Sequence, residues 1–341
     1  MEQMKVYAGL DMHSETITGT IKDSEGNPLR VQKVETSKEG VKKLFTRFKK
    51  KQVRAVFEAS KNWPYYAQLL KPHCGEVIMA HPLKIRAIAS ARIKTDVIDS
   101  NILCDLLRGN LIPESYMPSL EIVELRELLR YRATLSNLRA RFKTKVRNII
   151  SREGKKCEWK DITAKGARLW LNNVPLNDLN RRELDYTVSL MDNLNDEIKD
   201  LDKTIDKEQY KYPEADLLKS IIGISTFSAL LIIAEIADFS RFATPHKLAA
   251  YAGLAPSTYQ SSTTLYHGRI TKQGSKWLRW ILTQCTHASV KSTKHHKLKS
   301  FYLRLQRKKG KQKAIVATAR KMLVVIWHLL DKNEYYAARN Y

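Results

Sequence analysis

The sequence has few cysteines and pairs none of them: Cys74, Cys104, Cys157 and Cys285 are widely separated, and no C-x-x-C occurs. That spacing supports neither a zinc site nor a disulfide framework, and it makes a reducing compartment the expected setting. No window of about 18 apolar residues exists, so no helical membrane span is expected. The first thirty residues carry Asp11, Glu15 and Asp23 and no continuous apolar run, unlike an ordinary signal peptide. Internal repeats are lacking, and no Gly-rich phosphate loop is present. The longest gap is in one sign of charge. From Phe239 to Leu330 there is no Asp or Glu, where the average acid density of the chain would place about nine.

Those same 92 residues hold 18 Lys and Arg, and the whole chain has 60 Lys and Arg against 35 acids, a formal charge of +25. A surface made basic for solubility mixes both signs, whereas contact with phosphates selects against every carboxylate that would repel them. The C-terminal third therefore reads as a nucleic-acid face. Arg269, Lys272, Lys276 and Arg279 are candidates for phosphate contacts, interleaved with Trp277 and Trp280, which are expected in the core of an amphipathic helix. Arg307, Lys308 and Lys309, in the basic run RLQRKKGKQK, form a second candidate cluster. The expected protein is soluble and cytoplasmic, associated with the nucleoid through DNA, with no membrane partner.

Three regions follow from periodicity, 1–118, 119–210 and 211–341, and the fold class is α/β followed by all-α. KVYAGLDM, ETITGTIKD and LRVQKVETS read as a three-stranded meander. KEGVKKLFTRFKKK, with Val41, Leu44, Phe45 and Phe48 on one face, reads as a helix, then RAVFEAS as a strand, YYAQLLK as a helix and EVIMAHP as a strand. The order β-β-β-α-β-α-β is that of a ribonuclease-H-like domain. In the middle, Leu125, Leu128, Leu135, Leu138, Phe142, Val146 and Ile149 recur at helical steps, as do Val188, Met191, Leu194, Ile198 and Leu201. They predict two long helices forming an antiparallel hairpin or coiled-coil arm, which also suits self-association as a dimer or tetramer. Near Pro213, SIIGISTFSALLIIAEI fits either a helix-hairpin-helix or a buried helical hairpin.

Asp11 and Glu58 each end an apolar strand, so both project to one sheet edge, and Asp96 and Asp99 share a helical face at i,i+3. Four carboxylates so placed suit Mg2+, with two ions about 3.5–4 Å apart clamping a phosphodiester. Each acid also has an ordinary reading: Asp11 as a turn cap, Glu58 at a loop start, Asp96 as a helix N-cap, and Asp105 as an exposed helix residue. Ser261 and Ser262 sit in YQSSTT, which by composition is a polar turn. As a nucleophile, Ser261 would need activation from elsewhere, because its nearest histidine is His267 and no carboxylate lies within twenty residues.

GLDMH, FEAS and KTDVIDS, followed by LAAYAGLAPSTYQSS and HGRITKQGSKWLR, resemble the signature blocks of the DEDD transposases of the insertion-sequence one-ten family, relatives of Piv-type DNA invertases. The blocks lie in order from residue 6 to 280, and the middle region matches only in character. The resemblance implies a RuvC-like N-terminal domain whose metal-binding acids are Asp11, Glu58, Asp96 and Asp99. It also implies that Ser261 attacks a phosphodiester to form a covalent phosphoserine link to DNA. Members use a bridge RNA that pairs with donor and target DNA, and assemble as tetramers in which the serine of one subunit meets the acids of another. Here Ser262 replaces the usual glycine and Val97 stands where arginine is common. The alternatives are a Holliday-junction-type nuclease that activates water with the same acids, a non-catalytic nucleic-acid-binding protein, and an ATPase of related fold.

Overall fold

The computed structural model describes residues 5–89, 95–261 and 264–336, without the side chains of residues 261, 264, 265 and 267. The chain forms two compact units, Met1–Leu120 and Glu121–Tyr341.

In the first unit β1 (Val6–Met12), β2 (Thr16–Lys22) and β3 (Pro28–Glu35) form the expected antiparallel meander. Next come α1 (Lys38–Phe45), β4 (Val53–Glu58), α2 (Trp63–Leu70), β5 (Glu76–Ala80), α3 (Pro82–Ile88) and α4 (Asp96–Arg108). The sheet order is β3-β2-β1-β4-β5, with β1, β4 and β5 parallel. Parallel neighbours need a crossover, and α1 and α2 provide them. Alternation along the strands feeds two cores. Val6, Ala8, Leu10, Val53, Ala55 and Phe57 pack with α1 and α2. Tyr7 and Val56 pack on the opposite face with Ile85 of α3 and Leu103, Cys104 and Leu107 of α4.

Helix α4 lies directly on β1. A Cβ on Gly9 would overlap the carbonyl oxygen of Ser100 and the backbone of Cys104, so only glycine permits this approach. The contact is fixed by Cys104 Sγ donating to the Tyr7 carbonyl at 3.2 Å and by the Thr20 and Ser100 hydroxyls 2.8 Å apart. Lys22 Nζ reaches both oxygens of Asp105 at 2.7 and 2.8 Å. Asp105 is therefore a clamp between β2 and α4 and not an ordinary surface residue. The helix is capped by Thr95, whose Oγ1 accepts from the Ile98 amide at 3.2 Å. Asp96 is thus its first residue, and the N-cap reading of Asp96 falls.

The second unit contains α5 (Leu120–Arg152), α6 (Lys165–Asn173), α7 (Asp178–Glu208), α8 (Glu214–Lys219), α9 (Thr226–Ile236) and α10 (Pro245–Tyr251). It continues with a ribbon of β6 (Pro256–Ser261) and β7 (Thr264–Ile270), then α11 (Lys276–Lys291), α12 (Lys297–Lys309) and α13 (Lys311–Lys332). Helices α5 and α7 run antiparallel: Arg132 grips Asp202 at 2.9 and 3.0 Å, Arg139 Nη1 donates to Asn195 Oδ1 at 2.9 Å, and Arg152 pairs with Glu183. Their compositions are complementary, since α5 has nine Lys and Arg against three acids and α7 has ten acids against five Lys and Arg. Apolar packing anchors both ends of the pair. Val146, Ile149 and Ile150 meet Leu184 and Met191 at one end, and Leu125, Leu129 and Ile205 join the C-terminal core at the other.

Every residue from Ser228 to Ile236 in α9 is buried, which fits the buried helical-hairpin reading of that segment and supplies the centre of the C-terminal core with α11 and α13. Ser225, at the position where a second glycine would serve a helix-hairpin-helix, is the N-cap of α9 in a reciprocal bond with Ser228.

Candidate nuclease-like acidic site and nucleic-acid interface

Asp11 and Glu58 come together through register. The parallel pairing of β1 and β4 ends at Leu10 opposite Phe57, and the next residues on the two strands are Asp11 and Glu58. The strand ends open on the carboxyl edge of the sheet, where ligands of α/β folds bind. Asp11 also pairs with Thr18 on β2, and Thr18 pairs with Lys33 on β3. A row Lys33, Thr18, Asp11, Glu58 therefore crosses four strands. Helix α4, held down at Gly9, brings Asp96 and Asp99 in its first turn toward that row.

The electrostatics are those of neighbouring acids with a histidine and a lysine beside them. Burial raises the Asp11 carboxyl above its usual range, His13 opposes that, and the charges of Asp96 and Asp99 add to the rise. His13 Nε2 lies 3.1 Å from Asp11 Oδ2 and 4.0 Å from Asp96 Oδ1. Lys33 Nζ donates to Asp96 Oδ2 at 3.0 Å and holds that carboxyl below its usual range. One ligand atom from each of Asp11, His13 and Asp96 falls within 4.8 Å of the others. Thr18 Oγ1, in a residue only 2 % exposed, has no hydrogen-bond partner although its row neighbours are Asp11 and Lys33. Converging carboxylate oxygens, a carboxyl disfavoured as an anion and an orphaned hydroxyl beside it fit a hard divalent cation with its water shell.

His13 and Lys33 were not among the acids read from the sequence. His13 follows Asp11 at the i+2 spacing that returns to the same strand face, a signal GLDMH does contain. Lys33 is 22 residues away, and only strand register brings it close.

In the second unit Ser261 is the last residue of β6, paired with Thr264, and Ser262 lies outside the described residues. Arg269 on β7, Lys272 after it and Lys276 at the start of α11 are exposed. Arg279 is half-buried, and its Nη1 donates to the Ala252 carbonyl at 2.9 Å, so the guanidinium braces the turn after α10. Arg307, Lys308 and Lys309 are exposed at the end of α12. Trp280 packs against the core as expected, whereas Trp277 is half-buried, edge-on to Trp280 at 5.7 Å with the Arg130 guanidinium 5.9 Å over its ring. Among the described residues no helix is long and apolar enough to cross a membrane.

Comparison with known proteins places both halves. A model of DEDD transposases, described as transposase, matches residues 8–153, and one described as transposase IS116/IS110/IS902 family matches residues 215–303. The transposase for insertion sequence element IS1111A of Coxiella burnetii is 24% identical over 229 residues, 64% of this chain and 61% of that protein. The chain thus spans under two thirds of that relative's length. The pilin gene-inverting protein of Moraxella lacunata is 26% identical over 282 residues, covering 81% of this chain and 79% of its own. The transposase for insertion sequence element IS1533 of Leptospira borgpetersenii is 28% identical over 247 residues, 69% of this chain and 70% of that one. Together, the matches to an N-terminal segment bearing the clustered acids and to a C-terminal segment bearing the serine ribbon mean that this chain belongs to the IS110 family of transposases.

Proposed function

We propose that the protein is an insertion-sequence transposase that cuts and rejoins DNA through a covalent serine–DNA intermediate, with two Mg2+ ions held by Asp11, Glu58, Asp96 and Asp99. The observation that carries the reading is the approach of Asp96 to Asp11, with one ligand atom from each and one from His13 lying within 4.8 Å of one another, in a chain of +25. Bound Mg2+ would supply Lewis-acid neutralisation of phosphodiester charge. The sheet order supports a ribonuclease-H-like, RuvC-like N-terminal domain, and the charge-complementary α5 and α7 support a coiled-coil arm; assembly as a dimer or tetramer belongs to the same reading.

In this reading Ser261 Oγ attacks phosphorus, its proton passes to solvent, and a deoxyribose oxygen leaves. The phosphoserine ester conserves the bond until a deoxyribose hydroxyl of another strand end attacks it, freeing the serine and joining DNA. Arg269, Lys272, Lys276, Arg307, Lys308 and Lys309 contact backbone phosphates, which gives affinity without sequence information. Sequence choice then falls to a guide RNA pairing with donor and target DNA. Such a protein works in the cytoplasm on the nucleoid.

The test is recovery of covalent protein–DNA adducts under denaturing conditions from cells carrying the gene with its flanking DNA. Wild type forms an adduct that both Ser261→Ala and Asp11→Ala abolish. An adduct that survives Ser261→Ala moves the nucleophile, with Ser262 next to be replaced. Metal-dependent nicking without an adduct, unaffected by Ser261→Ala, replaces the transposase with a water-activating nuclease.

A further inference from the structure

The ribbon that ends at Ser261 exposes two aromatic side chains that its own fold does not use. Tyr259 on β6 is 67 % exposed and Tyr266 on β7 is 63 % exposed, although tyrosine in a small β-ribbon ordinarily packs one ring face on a core. The two are register partners, so they stand side by side on one face of the ribbon. Tyr259 is two residues before Ser261, about 7 Å along a strand, a distance that two stacked nucleotides cover at 3.4 Å each.

The base of the ribbon is tied to its own fold. Thr271 N donates to Ala255 O at 2.9 Å and Lys272 N to Gly253 O at 3.1 Å, closing its base. Gly274, at φ +100°, lies so close to Tyr251 that a Cβ would overlap the Tyr251 carbonyl oxygen. Charge selects the partner: the ribbon lies inside the 92 residues that contain 18 Lys and Arg and no acid, with Arg269 and Lys272 exposed beside it.

We propose that Tyr259 and Tyr266 form a stacking platform for unpaired DNA bases next to the phosphodiester presented to Ser261. Aromatic side chains bind single strands through the π-face that every base has, with basic residues tracking the phosphates. Duplex DNA hides those faces within its stack, so the platform acts on a strand already opened at the cut. Only the position of the bases relative to the reacting phosphate rests on the serine reading; base stacking itself does not.

The test uses the full-length protein in a Ser261→Ala background, so that binding is read without strand chemistry and a misassigned nucleophile leaves the result intact. Fluorescein-labelled oligo-dT, the same strand as a duplex, and oligo-rU are titrated against the Tyr259→Ala/Tyr266→Ala pair and the Tyr259→Phe/Tyr266→Phe pair. The alanine pair is expected to weaken oligo-dT binding by about tenfold or more, while the phenylalanine pair stays within about twofold and duplex binding is unchanged for both. Equal losses on duplex and single strand, or no loss, overturn the proposal. So does a loss confined to oligo-rU, which makes the platform a guide-RNA contact, or a change in oligomeric mass by light scattering, which makes the tyrosines a contact with a second copy of the chain.

Discussion

Ser275 Oγ donates a 2.7 Å hydrogen bond to Oε2 of Glu235, a carboxylate 1 % exposed whose Oε1 holds Arg130 Nη2 at 2.7 Å. The same serine accepts from the Leu278 amide at 3.1 Å and so caps α11. Around it Tyr251 Oη donates to the Glu235 carbonyl at 3.1 Å, and Arg126 donates to the Ala234 and Glu235 carbonyls at 2.6 and 3.0 Å. Glu235 thus joins α5, α9 and the start of α11. Glu235→Ala is expected to cost about 3 kcal/mol in urea unfolding, because it removes a buried acceptor of two bonds. Glu235→Gln, which keeps an acceptor for Ser275, costs less than the alanine.

Gly9→Ala is expected to lose about 3 kcal/mol or more, since the added methyl has backbone and no flexible side chain to push aside. Because the displaced helix carries Asp96 and Asp99, strand cleavage is lost with it. Retained stability and activity in this variant would mean that α4 does not sit on β1 as described.

Asp99 and Asp105 lie on one helix and are expected to separate by role. Asp105→Asn breaks the pair with Lys22 and is expected to cost about 1 kcal/mol of stability while leaving cleavage intact. Asp99→Asn relieves a like charge beside the half-buried Asp11, so stability is held or rises, yet cleavage falls by about a hundredfold or more. Chemical denaturation and a nicking assay on the same two preparations decide it.

Burial pushes the Cys74 thiol up to about 12 and the Cys104 and Cys285 thiols up to about 11. Only Cys157 is not buried. At pH 8 a thiol reagent should modify Cys157 at once and the other three at the rate of unfolding. Rapid native labelling of all four would contradict the packing of three separate core regions.

The meander, the two crossover helices and the long α5 and α7 were legible in the sequence because period-2 and period-3.6 patterns are local properties of the chain. The positions of Asp11 and Glu58 near the ends of β1 and β4 were legible for the same reason. Lys33 was not, because it approaches Asp96 only through the register of β2 on β3. Asp105 looked spare until Lys22, 83 residues away, was brought against it. Arg279 had the spacing of a phosphate contact, and its bond to the Ala252 carbonyl was not legible, since its neighbour in space is set by the turn after α10.

By itself, then, the sequence determined the charge of the C-terminal third, the order of the N-terminal strands and crossover helices, the two long helices and the family to which the chain belongs. Those are matters of composition and short-range pattern, which survive without coordinates. Tertiary structure alone decided which charges are spent inside the fold and which remain exposed. A carboxylate or guanidinium has the same local signature in either role, and only the distance to its partner tells them apart.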